Sequence, residues 1–528
     1  MRHGLALLTA LFAISCTPSP PAAEPDASGP AEDAAVADTG AEDAGRTTMR
    51  DAAVPPPPPT PTGTFPAHAR TLPFDYQRPD VGTAVSASEL ADVTDHYLAL
   101  LDRTRWLDYV EQRVHGWPES APGGRYWYAT WWSGAGIQLR AGHVTFAHVD
   151  VGAENNGLRT PQLMEGACYA WRLWHDDRDQ HLVRRLVRGL SSWRLAMQRS
   201  ASDPEIGLTS RAAYPESVDD PDRGVHIDYE PNRPGVDGGA SYFIHLPDNP
   251  TWGDLYVQAQ RSKDDMGHIM RGLAALDACE GTLTEPGGEA DIVEARRLYQ
   301  EWAQRVERDD FHIATLDASL NVVVPTSQLA TYFVPSIECH AQIAIRLLAR
   351  NDPYGAACPM PTGLSGDPTM GISSSALQIV RSHHEAAAGL ALVTGQEDTA
   401  RTLIEGLAMR IEMILDALEA GGTLDNVHPT DVVQLIAEAA ALGVPLTSRE
   451  VRWVHQQIEI AFAGYDTSGP EWHVFDPGTP DGDYAIEPGG PGIDVKDLGL
   501  LLGTCVAPYR NPASRPLLDC ARVSSHPR

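Results

Sequence analysis

Apolar side chains recur at helical spacing, in paired segments joined by short polar turns, along most of this 528-residue chain. Thr160 and Pro161 suit an N-cap and a first helical position for a helix running to about Trp174. After a turn at 175–178, the face Leu182, Val183, Leu186, Leu190, Trp193 and Met197 predicts a second helix. The same hairpin recurs as 266–276 with 292–306, 374–393 with 399–418, and 432–442 with 451–462. In the third pair Gly395 falls at a helix C-cap, and Gln396, Glu397 and Asp398 reopen the next helix with acids at its positive end. Ser88 is read as the cap of an earlier helix with Leu90, Val93, Tyr97, Leu100 and Leu101 on one face. Further helices are expected near 336–348 and 495–502, giving roughly ten to twelve by pattern. The fold class is therefore predominantly all-α. Hairpins in series build either an open solenoid or a closed ring. These share no fixed period and are separated by long insertions such as 203–259, which favours a ring with a loop-built site.

The N-terminus has a different character. Arg2 and His3 precede an apolar stretch over 5–14 that ends at Ser15 and Cys16, the layout of a secretion signal. The stretch is much shorter than the ~20 apolar residues that span a bilayer. Ala13, Ile14, Ser15 and Cys16 resemble the bacterial lipobox, with Ala13 where Leu is usual. The resemblance implies acylation of Cys16, and Thr17 in place of Asp implies the outer membrane, on its periplasmic or surface face. Ordinary cleavage near Ser15 is the alternative. Residues 1–16 are thus read as signal and 17–66 as a disordered tether of Ala, Pro and acidic residues, including the proline run 55–59. In polyproline II such a tether reaches on the order of 100 Å. Residues 67–528 hold no second linker of this kind and are expected to form a single helical domain.

A formal net charge of −31 argues against nucleic acid or anionic lipid as partner and favours neutral or cationic ligands, unless a locally basic cleft holds a polyanion. The membrane is expected to be met only through the lipid anchor, and the protein is expected to be a monomer. Beyond Cys16 stand Cys168, Cys279, Cys339, Cys358, Cys505 and Cys520, enough for three disulfides. Cys505 with Cys520, and Cys339 with Cys358, would close short loops. None shows the CxxC spacing of a zinc site.

The segment Arg261, Ser262, Lys263, Asp264, Asp265, Met266, Gly267, His268, Ile269, Met270, Arg271, Gly272, Leu273 resembles one that recurs in six-hairpin glycosidase-like (α/α)6 proteins. There a Ser, a basic residue and an Asp open an inner helix. The loop 394–398 is similar to that superfamily too. The resemblance implies an (α/α)6 toroid over about 85–505, acting on glycans at the mouth of the ring.

The residues offer several candidate groups. Asp264 and Asp265 open a helix and His268 follows one turn on, so either aspartate could serve as general acid or base while His268 contacts substrate. Helix capping by Asp264 is the plain alternative. His148, Asp150, Glu154, Asn155 and Asn156 precede the helix read at Thr160, where Asp150 or Glu154 could supply the second carboxylate; a polar turn is the alternative. His383, His384 and Glu385 lie in a predicted helix, where His384 could bind substrate and Glu385 could act as a catalytic carboxylate. Trp131, Trp132 and Trp252 are candidate platforms for sugar rings. No cofactor is expected, with Ca²⁺ near Asp476, Asp481, Asp483 and Glu487 as the one conceivable ion.

Three functions stay open at this point. The first is glycosidic hydrolysis by paired carboxylates. The second is a polysaccharide lyase, with Asn155 or Asn156 neutralising a uronate. The third is a glycan-binding or scaffolding lipoprotein without catalysis.

Overall fold

The computed structural model divides the chain into Met1–Pro56 and Pro57–Arg528. It describes residues 60–65, 71–80, 82–112, 137–140, 143–146, 156–196, 198, 212–215, 217–220, 225–228, 243–258, 263–316, 322–328, 335–350, 352, 374–420, 429–465, 493–507, 510–513 and 515–525. The expected signal and Cys16 lie outside them. Residues before the expected domain start at 67 already belong to the larger unit: the Thr62 and Gly63 amides donate to Gln300 Oε1 at 3.1 and 2.8 Å.

The described residues are mostly helical. The helices are α1 (Ala87–Thr104), α2 (Trp106–Gln112), α3 (Asn156–Trp174), α4 (Asp177–Arg194), α5 (Lys263–Ala275), α6 (Gly288–Arg308), α7 (Pro335–Arg350), α8 (Ser374–Val393), α9 (Glu397–Glu419), α10 (Pro429–Ala441), α11 (Ser448–Gly464), α12 (Leu498–Val506) and α13 (Cys520–Ser524). Short antiparallel strands accompany them. Gly253–Gln258 runs between Ala212–Pro215 and Phe243–Asn249, and three two-stranded ribbons pair Ile137–Arg140 with His143–Phe146, Ser217–Asp220 with Val225–Asp228, and His312–Leu316 with Val322–Gln328. The insertion 203–259 therefore carries strands, where only irregular loop was expected.

Caps refine the helix limits. Ser86, two residues before the expected Ser88, accepts from the Glu89 amide in a reciprocal capping box that opens α1. Thr447 and Glu450 do the same for α11. α3 begins at Asn156, about one turn before the expected cap at Thr160, and Pro161 sits inside it. Gly395, at φ 73°, provides the left-handed turn that lets α8 pass into α9 in three residues.

Five helices pack on one another in order: α3 on α5, α5 on α8, α8 on α10, α10 on α12, and α12 on α3. Outside them α4 packs on α3 and α6, α6 on α7, and α9 and α7 on α8. Small residues set the close approaches. A Cβ on Gly267 would lie 2.5 Å from Ser382 Oγ of α8, and one on Gly272 would lie 2.7 Å from Pro161 Cβ of α3. Between α3 and α12 a Cβ on Gly499 would fall 2.1 Å from Trp106 Cζ2 and 2.9 Å from Gly166 Cα. Trp106 is a fully buried side chain with no room to retreat, so Gly499→Ala is expected to lower stability by about 1–3 kcal/mol, read from the midpoint of urea unfolding.

Disulfides pin this framework. Cys505–Cys520 forms as its short spacing suggested. Cys168–Cys279 ties α3 to the 3-10 turn after α5 across 111 residues, a pairing no local rule announces. Cys339 is also disulfide-bonded, while Cys358 lies outside the described residues. No described helix is long and apolar enough to cross a membrane.

Candidate active site

The connections between the five interlocking helices are unequal. Those that follow α3, α8 and α10 take only a few residues, whereas those that precede α3, α5, α8 and α12 are long. A cavity of about 130 Å³ lies at the short-connection end, lined by the C-terminal halves of α3, α5, α8 and α10 and the end of α12.

Its charged floor is built from four helices. Glu165 projects from α3, Arg271 from α5, Glu385 from α8 and Glu438 from α10, and all four are buried. Arg271 binds three carboxylates: Nε meets Glu165 Oε1 at 2.8 Å, and Nη1 meets Glu438 Oε1 at 2.7 Å and Glu385 Oε2 at 3.4 Å. Behind them Arg381 of α8 reaches Glu438 Oε2 at 3.2 Å and donates to Gln434. Such a cluster tolerates burial only because each charge has partners.

The carboxyl groups divide by protonation state. Burial drives Glu165 up to about 7, with Arg271 opposing and the Glu438 charge reinforcing. Burial, then the charge and hydrogen bond of Glu438, drive Glu385 well above the ordinary carboxylate range. Burial would raise Glu438 as well, but Arg271 and Arg381 together outweigh it and hold Glu438 below that range. At neutral pH Glu385 is therefore a protonated donor to an ionised Glu438. Glu165, on another arm of the same guanidinium, stands at the midpoint of its titration. Environments that push neighbouring carboxyls apart in this way are what an acid and base pair requires.

The rim adds Tyr169 and Arg172 of α3, Asp277, and Arg510, whose Nη2 meets Asp277 Oδ2 at 2.7 Å. Burial holds the Tyr169 phenol well above its ordinary range, so it stays a neutral hydroxyl. Cys168–Cys279 sits beside Tyr169 and Ala278 and fixes this wall.

No protein family model matches the chain, and no curated protein or solved structure matches it either.

Of the residues singled out from sequence, Glu385 lines the cavity. Asp265 and His268 are fully buried on α5, nearly two turns and about one turn before Arg271 respectively, and neither is in the cavity wall. A Cβ on Gly157 would stand 2.8 Å from the Asp265 Cβ, which places that side chain toward the start of α3. Asp264 lies in the first turn of α5 and Asn156 opens α3. His384 faces away from the cavity, stacks on His340 of α7 at 4.0 Å between ring centroids, and shares a 2.8 Å hydrogen bond with the Leu403 carbonyl. Trp252, read as a sugar platform, is core instead: it is 4% exposed and its indole donates to the Ser192 carbonyl at 2.6 Å. His148, Asp150, Glu154, Asn155, Trp131, Trp132 and the acidic loop 476–487 lie outside the described residues. Among the described residues no group of three or more His, Cys, Asp or Glu side chains could hold a metal ion.

Glu165, Arg271 and Glu438 were not singled out from sequence as site residues. Each stands between apolar or small neighbours, Met164 and Gly166, Met270 and Gly272, and Ala437 and Ala439, and a charge inside such a stretch is the signal that could have found them.

The stacked His340 and His384 give a pH prediction. Burial, then the nearby Arg410 and His383 charges, hold His340 well below 6.5; burial, His340 and Arg410 do the same for His384. Above about pH 7 the rings are neutral folded or unfolded and contribute nothing. As pH falls through 6.5 the unfolded chain takes up protons that the folded chain refuses, so stability falls by up to about 1.4 kcal/mol per pH unit for each ring. Urea midpoints measured from pH 7 to pH 5 should drop, and His340→Gln should flatten that drop.

Proposed function

We propose that this chain is an exported, lipid-anchored protein whose hairpins close into a toroid of the six-hairpin glycosidase-like kind, and that it hydrolyses a glycosidic bond at the Arg271 cavity. The reading of a ring is supported by the circuit in which α12 returns to pack on α3. That described circuit passes through five helices, where a six-hairpin ring asks for one more. The hydrolytic reading is carried by a single observation: Glu165 near pH 7 and ionised Glu438 on two arms of Arg271 in one cavity wall.

In this mechanism Glu165 is the acid that protonates the departing glycosidic oxygen. Glu438 is the carboxylate that activates water or attacks the anomeric carbon. Glu385 keeps its proton and donates a hydrogen bond to Glu438, which holds that group oriented, and Arg271 holds Glu165 and Glu438 in register. The pair differs from the one expected at Asp264 or Asp265 with Asp150 or Glu154, and keeps Glu385 in a supporting part.

A glycan-array screen tests the reading, followed by assays for new reducing ends and for the ultraviolet absorbance of an unsaturated uronate. New reducing ends without that absorbance are the expected result. Absorbance at 1:1 with each cleavage would assign the reaction to elimination instead, and binding without cleavage would assign the protein to the non-catalytic class.

A further inference from the structure

We infer that the saccharide entering the Arg271 cavity is acidic, with its carboxylate received by Arg172, Arg271 and Arg510. The inference rests on the glycan reading above and adds a substrate class to it. The cavity wall sets Arg172, Arg271 and Arg510 against Glu165, Asp277, Glu438 and a protonated Glu385, so it is close to balanced in charge within a chain whose formal charge is −31.

Those arginines hold unspent donors. Arg271, 4% exposed, has its Nη2 buried with no hydrogen-bond partner among the described residues, although its Nε and Nη1 bind Glu165, Glu438 and Glu385. Arg510 has Nη1 in the same condition, while Nη2 is taken by Asp277. Arg172 is half-buried at the rim on the same helix face as Glu165 and Tyr169, and forms no ion pair among the described residues.

A buried guanidinium N–H left without an acceptor costs free energy, and a neutral sugar offers only hydroxyls to relieve it. A carboxylate offers two oxygens in the plane a guanidinium fork prefers. The acids of the floor do not fill this role, because Glu438 already lies between Arg271 and Arg381, and Glu385 keeps its proton. About one turn beyond the charged residues the same helices line the cavity with the small residues Ala274, Ala275, Gly389 and Ala441, which leaves space for a ring beside the charged groups.

Isothermal calorimetry on the full chain tests this with glucuronate and galacturonate against glucose and galactose, and with acetate and sulfate as simple anions. The uronates are expected to bind about tenfold or more tighter than their neutral counterparts, the scale of one hydrogen bond to a charged group. Arg172→Ala is expected to remove most of that preference and Arg172→Lys to keep part of it, with the thermal midpoint unchanged in both.

Equal or tighter binding of the neutral sugars, or a uronate preference untouched by Arg172→Ala, overturns the inference. So does sulfate binding as tightly as the uronates. Cleavage of a neutral glycan with no uronate preference overturns it while leaving the hydrolase reading intact. Acetate binding without any uronate, on a protein that cleaves no glycan, overturns both.

Discussion

Glu438→Gln is expected to lower kcat on a confirmed glycan substrate by about 100- to 10,000-fold, the range that a positioned acid or base contributes. Glu165→Gln should fall in the same range, and the two differ in pH profile. The wild-type acid limb reports Glu438, which Arg271 and Arg381 keep ionised below the ordinary carboxylate range. The alkaline limb reports Glu165, which must be protonated to act, so activity declines as pH rises past about 7. Glu165→Gln abolishes the alkaline limb, because an amide cannot lose the proton that defines it. Glu438→Gln leaves that limb and removes the acid one. The product should keep the anomeric configuration of the substrate if Glu438 attacks carbon, and invert it if Glu438 activates water. Full turnover in both variants would end the assignment.

Arg271→Met is expected to destabilise the protein by about 3–5 kcal/mol at pH 8, because it leaves buried carboxylates without the cation between them. The loss should shrink at pH 6. Glu165 already titrates at about 7 with the guanidinium present, and without it the folded-state value rises further above the ordinary 4.5. A group raised by folding contributes stability at low pH and loses it as pH rises through its folded value. Denaturant midpoints at the two pH values measure this. The double variant Arg271→Met with Glu165→Gln should recover much of the loss, since the amide needs no counter-ion. An unchanged midpoint at pH 8 would show that the cluster does not depend on Arg271.

The helices were legible where periodicity was strong. The stretch 374–393 was read as α8 with both limits, and Gly395 marked its end, because a left-handed C-cap leaves a local signature. α3 was read one turn short because Thr160 and Pro161 make a good N-terminus in isolation, yet the chain upstream of them continues the helix. Trp252 was misplaced for a related reason: polar neighbours suggested exposure, but Asn249 turns the chain so that the indole enters the core, its amide group accepting from the Thr251 and Trp252 amides.

The candidate site was largely hidden. Glu385 was noticed because it adjoins two histidines, of which His384 turns the other way, toward α7 and α9. Glu165, Arg271 and Glu438 are separated by 106 and 167 residues, and nothing local links them. They meet only because glycines let α3, α5 and α8 approach closely and α10 completes the wall.

The sequence by itself determined the helical class and most helix faces, and it suggested the Cys505–Cys520 pair, because each is decided within a turn or a short loop. The tertiary structure alone decided the Cys168–Cys279 link, the course of the helices around one cavity, and which buried acids keep their protons. Those outcomes depend on distances and desolvation between residues far apart in the chain, and no periodicity or local spacing encodes them.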